Sequence, residues 1–203
     1  SNQKMRDGGG LVSLRLYACL KPIIVAFNGP AVGVGITMML PADMRLASTD
    51  ARFGFVFTRR AIAMEACSSW FLPRLVGVQQ AQEWVLTGRV FDADEAWQGG
   101  LVRSIHEPEE LMPAALELAK EIIENTSAVS VALCRRMLWS MMGADHPMEA
   151  HKVDSRAIFS RGRSADAKEG IESFLEKRKA NFPNKVSTDM PDFFPWEKKR
   201  EYS

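Results

Sequence analysis

Between residues 23 and 55 the chain repeats one alternation: a short apolar run, then a turn built on glycine or proline. Ile23-Ile24-Val25-Ala26-Phe27 is continuous, apolar and rich in β-branched residues. It is too short for a helix and suits a buried strand. Asn28-Gly29-Pro30 breaks it. Ala31-Val32-Gly33-Val34-Gly35 bends the chain again, and residues 36–40 read as a short buried helix. Met44-Arg45-Leu46-Ala47 and Arg52-Phe53-Gly54-Phe55 read as two further strands. Strand, glycine turn, helix, strand is the order of a layered α/β fold.

The flanks extend that reading. Residues 1–10 look like a mobile, glycine-rich lead-in, and 11–20 like a helix stopped by Pro22. Helices are expected over 66–75 and 79–86, and a short one after Asp92, which has Glu95 three residues on and Gly99-Gly100 at its end. A strand is expected over 101–105. Residues 108–125 give the clearest amphipathic helix, with Leu111, Ala115, Leu118, Ala119 and Ile122 on one face. Beyond it only helices are expected, over 130–142, 147–160 and 164–179, the last capped by Ser164. The tail from Asn181 has prolines, aromatics and no period, and reads as an extended segment packed on something. The expected division is an α/β core over 1–125 and a helical region with its tail over 126–203.

A chain of 203 residues can bury roughly 70% of its unfolded surface, so it needs no disulfide or metal staple. Lys plus Arg number 26 against 25 Asp plus Glu, a net charge of +1, which excludes a globally polybasic nucleic-acid binder. Cys19, Cys67 and Cys134 are odd in number and far apart. Without a CxxC pair they exclude a zinc ribbon and point to a reducing, intracellular compartment; cytoplasm, peroxisome and mitochondrion are not distinguished. No run approaches the about 20 apolar residues of a spanning helix. The polar first ten residues do not resemble a secretory leader.

The stretch from Lys21, "KPIIVAFNGPAVGVGITMMLPADMRLASTDARFGF", resembles the enoyl-CoA hydratase/isomerase family, the crotonases. "FLPRLVG", "LTGRVFDADEAWQGGLV" and "EGIESFLEKRKANFP" follow in the family's order. Several ordered motifs are far more specific than one. The resemblance, over about residues 11–183, implies a spiral of β-β-α units closed by a helical C-terminal region that assembles trimers or their dimers. It also implies first strands, and a first oxyanion amide, upstream of this chain. The implied substrate is an acyl-CoA thioester, with coenzyme A as part of the substrate and no separate cofactor or metal.

The family's reactions place negative charge on a thioester oxygen. Two backbone N–H groups hold it, and loss of one such donor costs about 3–4 kcal/mol in well-studied enzymes. The resemblance puts one donor at the Val34 amide, with Gly33 and Gly35 admitting the ligand close to the backbone. Hydratases of the family carry two glutamates, at the positions of Thr37 and Phe57 here. Neither residue is a carboxylate, so water addition is disfavoured. Met64-Glu65-Ala66-Cys67-Ser68-Ser69 resembles instead the active-site stretch of peroxisomal-type Δ3,Δ2-enoyl-CoA isomerases. There one glutamate, at Glu65, moves a proton between two carbons. Burial among Ile62, Met64, Trp70 and Phe71 would raise its pKa. The bland reading of Glu65 is a first-turn helix acid. By resemblance to the hydratases, Phe174 and Lys177 meet the adenine and a phosphate of coenzyme A bound by a neighbouring subunit.

Other polar groups read as structural. His146, Glu149 and His151 suggest a helix start, with Pro147 at N1, more than a metal site. Asp43 and Arg45 suggest a pair beside a strand, Arg59 and Arg60 a solvated edge, and Lys177-Arg178-Lys179 a solvated helix end. Met38, Met39, Met141 and Met142 suggest core filler. Enoyl-CoA isomerase is the leading expectation. A non-catalytic acyl-CoA or protein-binding module, and a hydratase, lyase or hydrolase whose base lies outside this chain, stay open beside it.

Overall fold

The computed structural model describes residues 5–198 and 200–202. They form two compact units. The first comprises the residues up to Cys19 and Ile23–Ala119; the second comprises Leu20–Pro22 and the chain from Lys120 onward.

The first unit contains two three-stranded sheets. One has β1 (Ile24–Phe27), β3 (Met44–Ser48) and β6 (Ser104–His106), all parallel, in the order β1-β3-β6. The other has β2 (Ala31–Val32) parallel to β4 (Arg52–Gly54), with β5 (Val90–Asp92) antiparallel beyond it. The strands expected from the apolar runs are present. β2 and β5 were not expected, because two or three residues carry no period and their pairing is decided by distant partners. β1 is half-buried except at Phe27, against the expectation of full burial. The reason is its place at a sheet edge, with a strand partner on one side only.

The core of this unit is aromatic. Trp84 stacks on Phe91 with ring centroids 4.3 Å apart and the planes nearly parallel, and Phe53 meets Phe27 edge-on at 5.2 Å. Trp84 and Phe53 are completely buried. Leu46 on β3 packs with Leu111 and Ala115 of the amphipathic helix α6 (Pro108–Asn125), the face its periodicity predicts.

Helix limits shift where backbone groups find better partners. α1 runs over Gly8–Ala18, so the supposed lead-in is the first helical turn. Asp7 caps it, accepting Gly9 N and Gly10 N at 2.9 Å each. α2 is Val34–Thr37, earlier than the run 36–40, because Gly33 at φ +59 and ψ −127 turns the chain directly into it. That backbone conformation favours glycine alone. α3 (Ser68–Val76) starts late because Ala66 and Cys67 both have φ +56. α4 (Val78–Thr87) and α5 (Ala93–Gln98) follow, with Asp92 capping α5 through Glu95 N as expected. Leu101 and Val102 are not yet strand, since both amides bond Ala96 O at the end of α5.

The second unit holds α7 (Ala128–Met141), α8 (Pro147–Arg161) and α9 (Ala165–Leu175), capped by Ser127, His146 and Ser164. α9 stops short of residue 179: Lys177 is left-handed at φ +54, and Lys177 N and Arg178 N close back on Phe174 O and Ser173 O. Asp166, 3% exposed, anchors the unit. It accepts Arg161 Nη2 at 2.8 Å, Asn184 N at 2.9 Å and the Ser127 hydroxyl. The tail packs within this unit as expected, through Asn184, an Arg136–Glu197 ion pair and Arg156 over the Phe193 ring. Met38, Met39 and Met141 are half-buried, but Met142 is 38% exposed and fills no core. No described helix is long and apolar enough to cross a membrane.

Candidate active site

Four sequence-predicted positions meet in the first unit. β2 ends at Val32, Gly33 turns, and Val34 and Gly35 open α2. Gly33 N is held by Gly54 O of β4 at 2.9 Å, which fixes the turn to the sheet. The amides of Val34 and Gly35 find no acceptor among the described residues, as the first amides of a helix do not. A Cβ at Gly33 or Gly35 would meet nothing within 4 Å. The space beside this backbone is therefore open, and the glycine at 35 answers to no neighbour in the chain.

One turn on, Thr37 is fully buried. Its hydroxyl lies 3.2 Å from Gly33 O and donates to Glu65 Oε1. Glu65 thus reaches the residue that the sequence resemblance sets at the first hydratase-acid position. The second such position, Phe57, is an aromatic only 5% exposed.

Glu65 is not in the first turn of a helix. It lies before α3, separated from it by the two left-handed residues Ala66 and Cys67. Such conformations cost of order 1–3 kcal/mol each and persist where surroundings over-determine them. Here the surroundings do so. Ala66 N donates to Asp7 Oδ2 at 2.6 Å, Ser68 N to Glu65 O at 2.9 Å, and Phe71 N to Cys67 O at 3.1 Å. Tyr17 of α1 sets its ring edge-on to Trp70 and Phe71 of α3, at 6.0 Å from each. The other Glu65 oxygen, Oε2, lies over Gly9: a Cβ there would come within 2.2 Å of it. The carboxylate therefore sits between α1 and α2.

The expected apolar surround is only partly present. Glu65 and Met64 are half-buried and Phe71 is buried, but Ile62 is 59% exposed. Ile62 N bonds Phe57 O, which leaves its side chain outside the packing. Burial, then the charges of Asp7 and Glu65, push the Cys67 thiol up from its ordinary pKa.

Sequence reasoning missed Asp7 and Gly9. The signal was an aspartate directly before three glycines, a good helix cap followed by residues without Cβ. Asp43 and Arg45 serve the frame: Asp43 accepts Ile23 N at 2.7 Å, and Arg45 donates to Ala42 O and Leu101 O at 2.7 Å each. Burial pushes Arg45 down to about 10, with Asp43 opposing. Arg59 and Arg60 are exposed, with Arg59 Nε on Thr87 O at 2.9 Å.

Phe174 and Lys177 belong to the second unit. Phe174 is 81% exposed at the end of α9, and Lys177 is exposed on the left-handed turn after it. His146 accepts Met148 N at 3.0 Å as the cap of α8, and Glu149 pairs with Lys152. That is the helix-start role expected of this cluster.

The family model described as enoyl-CoA hydratase/isomerase matches residues 3–185. The chain is 42% identical over 178 residues to the enoyl-CoA hydratase AKT3-2 of Alternaria alternata, covering 87% of this chain and 60% of that protein. It is 36% identical to a crotonyl-CoA hydratase of Syntrophomonas wolfei, covering 91% of this chain and 72% of the other. A crystal structure of an enoyl-CoA hydratase from Bacillus anthracis superposes with a TM-score of 0.81 at 28% identity, covering 89% and 72% of the two chains. The chain thus spans 60% of the length of the Alternaria relative. A crotonase-like fold, a glycine turn with free amides at the head of α2, and a sequence match over most of the chain agree: the chain belongs to the enoyl-CoA hydratase/isomerase family.

Proposed function

We propose that the protein acts on an acyl-CoA thioester and moves a carbon–carbon double bond along the acyl chain. Glu65 is the single proton shuttle and the Val34 amide one oxyanion donor. The observation that carries this reading is the contact of the Glu65 carboxylate with Thr37, while Phe57 is buried. Water addition in this family uses carboxylates at those two positions. Here one carries a hydroxyl and the other an aromatic ring, which leaves one carboxylate at the turn. One carboxylate suffices for isomerisation. It takes a proton from C2, the electron pair spreads onto the thioester oxygen, and the proton returns at C4. No water is consumed. Coenzyme A arrives with the substrate, and the adenine and a phosphate of coenzyme A bound by a neighbouring copy of the chain fall to Phe174 and Lys177, both exposed on α9 and the turn that ends it. The exposed apolar residues Ile171, Phe174 and Leu175 of α9 favour assembly with further copies of the chain, in trimers or their dimers.

A second reading is hydration of a 2-enoyl thioester. It is favoured by relatives such as the Alternaria protein, which is named an enoyl-CoA hydratase. It requires a second acid or base from outside these positions.

One experiment separates the two. The full-length protein and its Glu65→Gln variant are assayed for conversion of a 3-enoyl-CoA to the 2-enoyl isomer and for hydration of crotonyl-CoA. Isomerisation by the wild type, at least about 100-fold slower in the variant with equal thioester affinity, is expected for a lost general base. Efficient hydration, with isomerisation absent, overturns the first reading in favour of the second. Binding without either reaction returns the protein to a non-catalytic acyl-CoA module.

A further inference from the structure

Thr37 has two acceptors in reach and one hydroxyl hydrogen to give: Glu65 Oε1, and Gly33 O at 3.2 Å. The second acceptor is not an arbitrary carbonyl. Gly33 C=O and Val34 N–H are the two ends of one peptide unit. That oxygen already accepts Ile36 N and Thr37 N at 3.1 Å each. A further donor on it draws electron density along the amide and makes the Val34 N–H more positive.

The hydroxyl's direction is dictated by the charge state of Glu65. An ionised carboxylate only accepts, so Thr37 must donate to it. A carboxyl protonated on Oε1 is itself a donor. Thr37 Oγ1 then accepts, and its own hydrogen turns to Gly33 O.

We propose that Thr37 is a positioning residue that couples the protonation of Glu65 to the strength of the Val34 oxyanion donor. This rests on the reading of Glu65 as the proton shuttle. The substrate C2–H bond breaks, its electron pair moves toward the thioester oxygen, and the proton forms an O–H bond on Oε1 of Glu65, the oxygen that Thr37 meets. While Glu65 holds that proton, and only then, the thioester oxygen carries the charge that the Val34 amide must stabilise. In that same interval Thr37 donates to Gly33 O. Return of the proton to C4 restores the carboxylate and swings the hydroxyl back, so nothing is consumed. Among the described residues, two other titratable groups face Glu65: Asp7 at the head of α1, held by the amides of Gly9, Gly10 and Ala66, and the Cys67 thiol on the turn into α3. α2 contributes only the hydroxyl.

The test follows the Val34 amide by ¹⁵N–¹H NMR in the full-length protein, beside the carboxyl ¹³C signal of Glu65, as pH is varied. Wild type and Thr37→Ser are expected to show the Val34 proton moving downfield with the Glu65 midpoint. Thr37→Val, which keeps the shape and loses the hydroxyl, is expected to lose that dependence. Its kcat for isomerisation should fall about tenfold, the scale of one hydrogen bond, with KM little changed and Thr37→Ser recovering most of the rate. A wild-type Val34 resonance that ignores Glu65 overturns the proposal without any variant having to fold. So does one that tracks Glu65 equally in Thr37→Val. Failure of the shuttle reading is visible separately, as undiminished turnover of Glu65→Gln, while the Val34 resonance still decides the coupling.

Discussion

The two units use their polar groups in opposite ways. In the first, polar groups converge on one place: exposed Asp7, buried Thr37 and half-buried Glu65 lock together two helix starts and a strained turn beside open backbone amides. In the second, Ser127, Arg161 and the Asn184 amide gather on the buried carboxylate Asp166, which ties a helix cap to the tail. Its outer helix faces instead leave large apolar side chains such as Ile158 and Phe174 exposed. Polar groups at a reaction site are held in place while an approach stays open. Those at this structural joint are closed off from solvent: Asp166 is 3% exposed. The comparison separates a candidate site in one unit from a structural joint in the other.

The largest expected effect tests the scaffolding side. Asp166→Ala leaves the Arg161 charge without its carboxylate, with only Asn184 Oδ1 at 3.1 Å still accepting from it, and frees Ser127 and the Asn184 amide. Breaking a buried pair costs about 3–5 kcal/mol, read as a lower denaturation midpoint. A variant as stable as the wild type would show that the tail and α9 are held by something else.

Next comes the closeness of Gly9 to Glu65. Gly9→Ala places a methyl against Oε2, whereas a Cβ at Gly8 meets nothing within 4 Å. Both changes favour helix α1 by propensity. If Glu65 is the proposed proton shuttle, Gly9→Ala should nonetheless lower turnover about 10–100-fold, as misplacement of a reacting group by about 1 Å does. Gly8→Ala should match the wild type. Equal rates for the two variants would detach Glu65 from the helix start and blur the contrast between the units.

A smaller effect is expected at Lys177. If α9 and its closing turn meet the coenzyme A phosphates, Lys177→Ala weakens thioester binding by about 1–2 kcal/mol and flattens its salt dependence. Unchanged affinity at low salt in a calorimetric titration would leave Lys177 a solvated helix-end cation.

The smallest concerns pH. The Arg178 guanidinium, then the Asn181 amide, hold the Glu169 carboxyl down to about 2. A depressed carboxylate stabilises the fold above its unfolded pKa near 4.5 and loses that contribution as pH falls through the folded value. The end of α9 should therefore loosen between about pH 4.5 and 2, seen as faster amide exchange at Arg178 and Asn181, and Arg178→Ala should weaken this pH dependence, leaving the part that the Asn181 amide supplies. Identical exchange profiles for the two proteins would show that the ion pair does not secure this helix end.

By itself the sequence determined the elements whose signal is local. The apolar run before Asn28-Gly29-Pro30 had to be a strand, the 108–125 period had to be a helix, and Asp92, Ser164 and Pro147 had to mark helix starts. Family membership was legible too, since ordered motifs survive without knowledge of contacts. Tertiary structure alone decided what depends on residues meeting across the chain. β2 and β5 exist only because β4 lies between them. Residues 8–10 looked like a loose lead-in, because glycine lowers helix propensity. They are helical because the Asp7 cap secures the turn and Glu65, 56 positions from Gly9, leaves no room for a Cβ there. Thr37 read as a lost acid; only the fold shows it holding the acid that is present. A pattern of single residues records propensity and period. A site is a coincidence in space of residues far apart in sequence, and packing sets that coincidence.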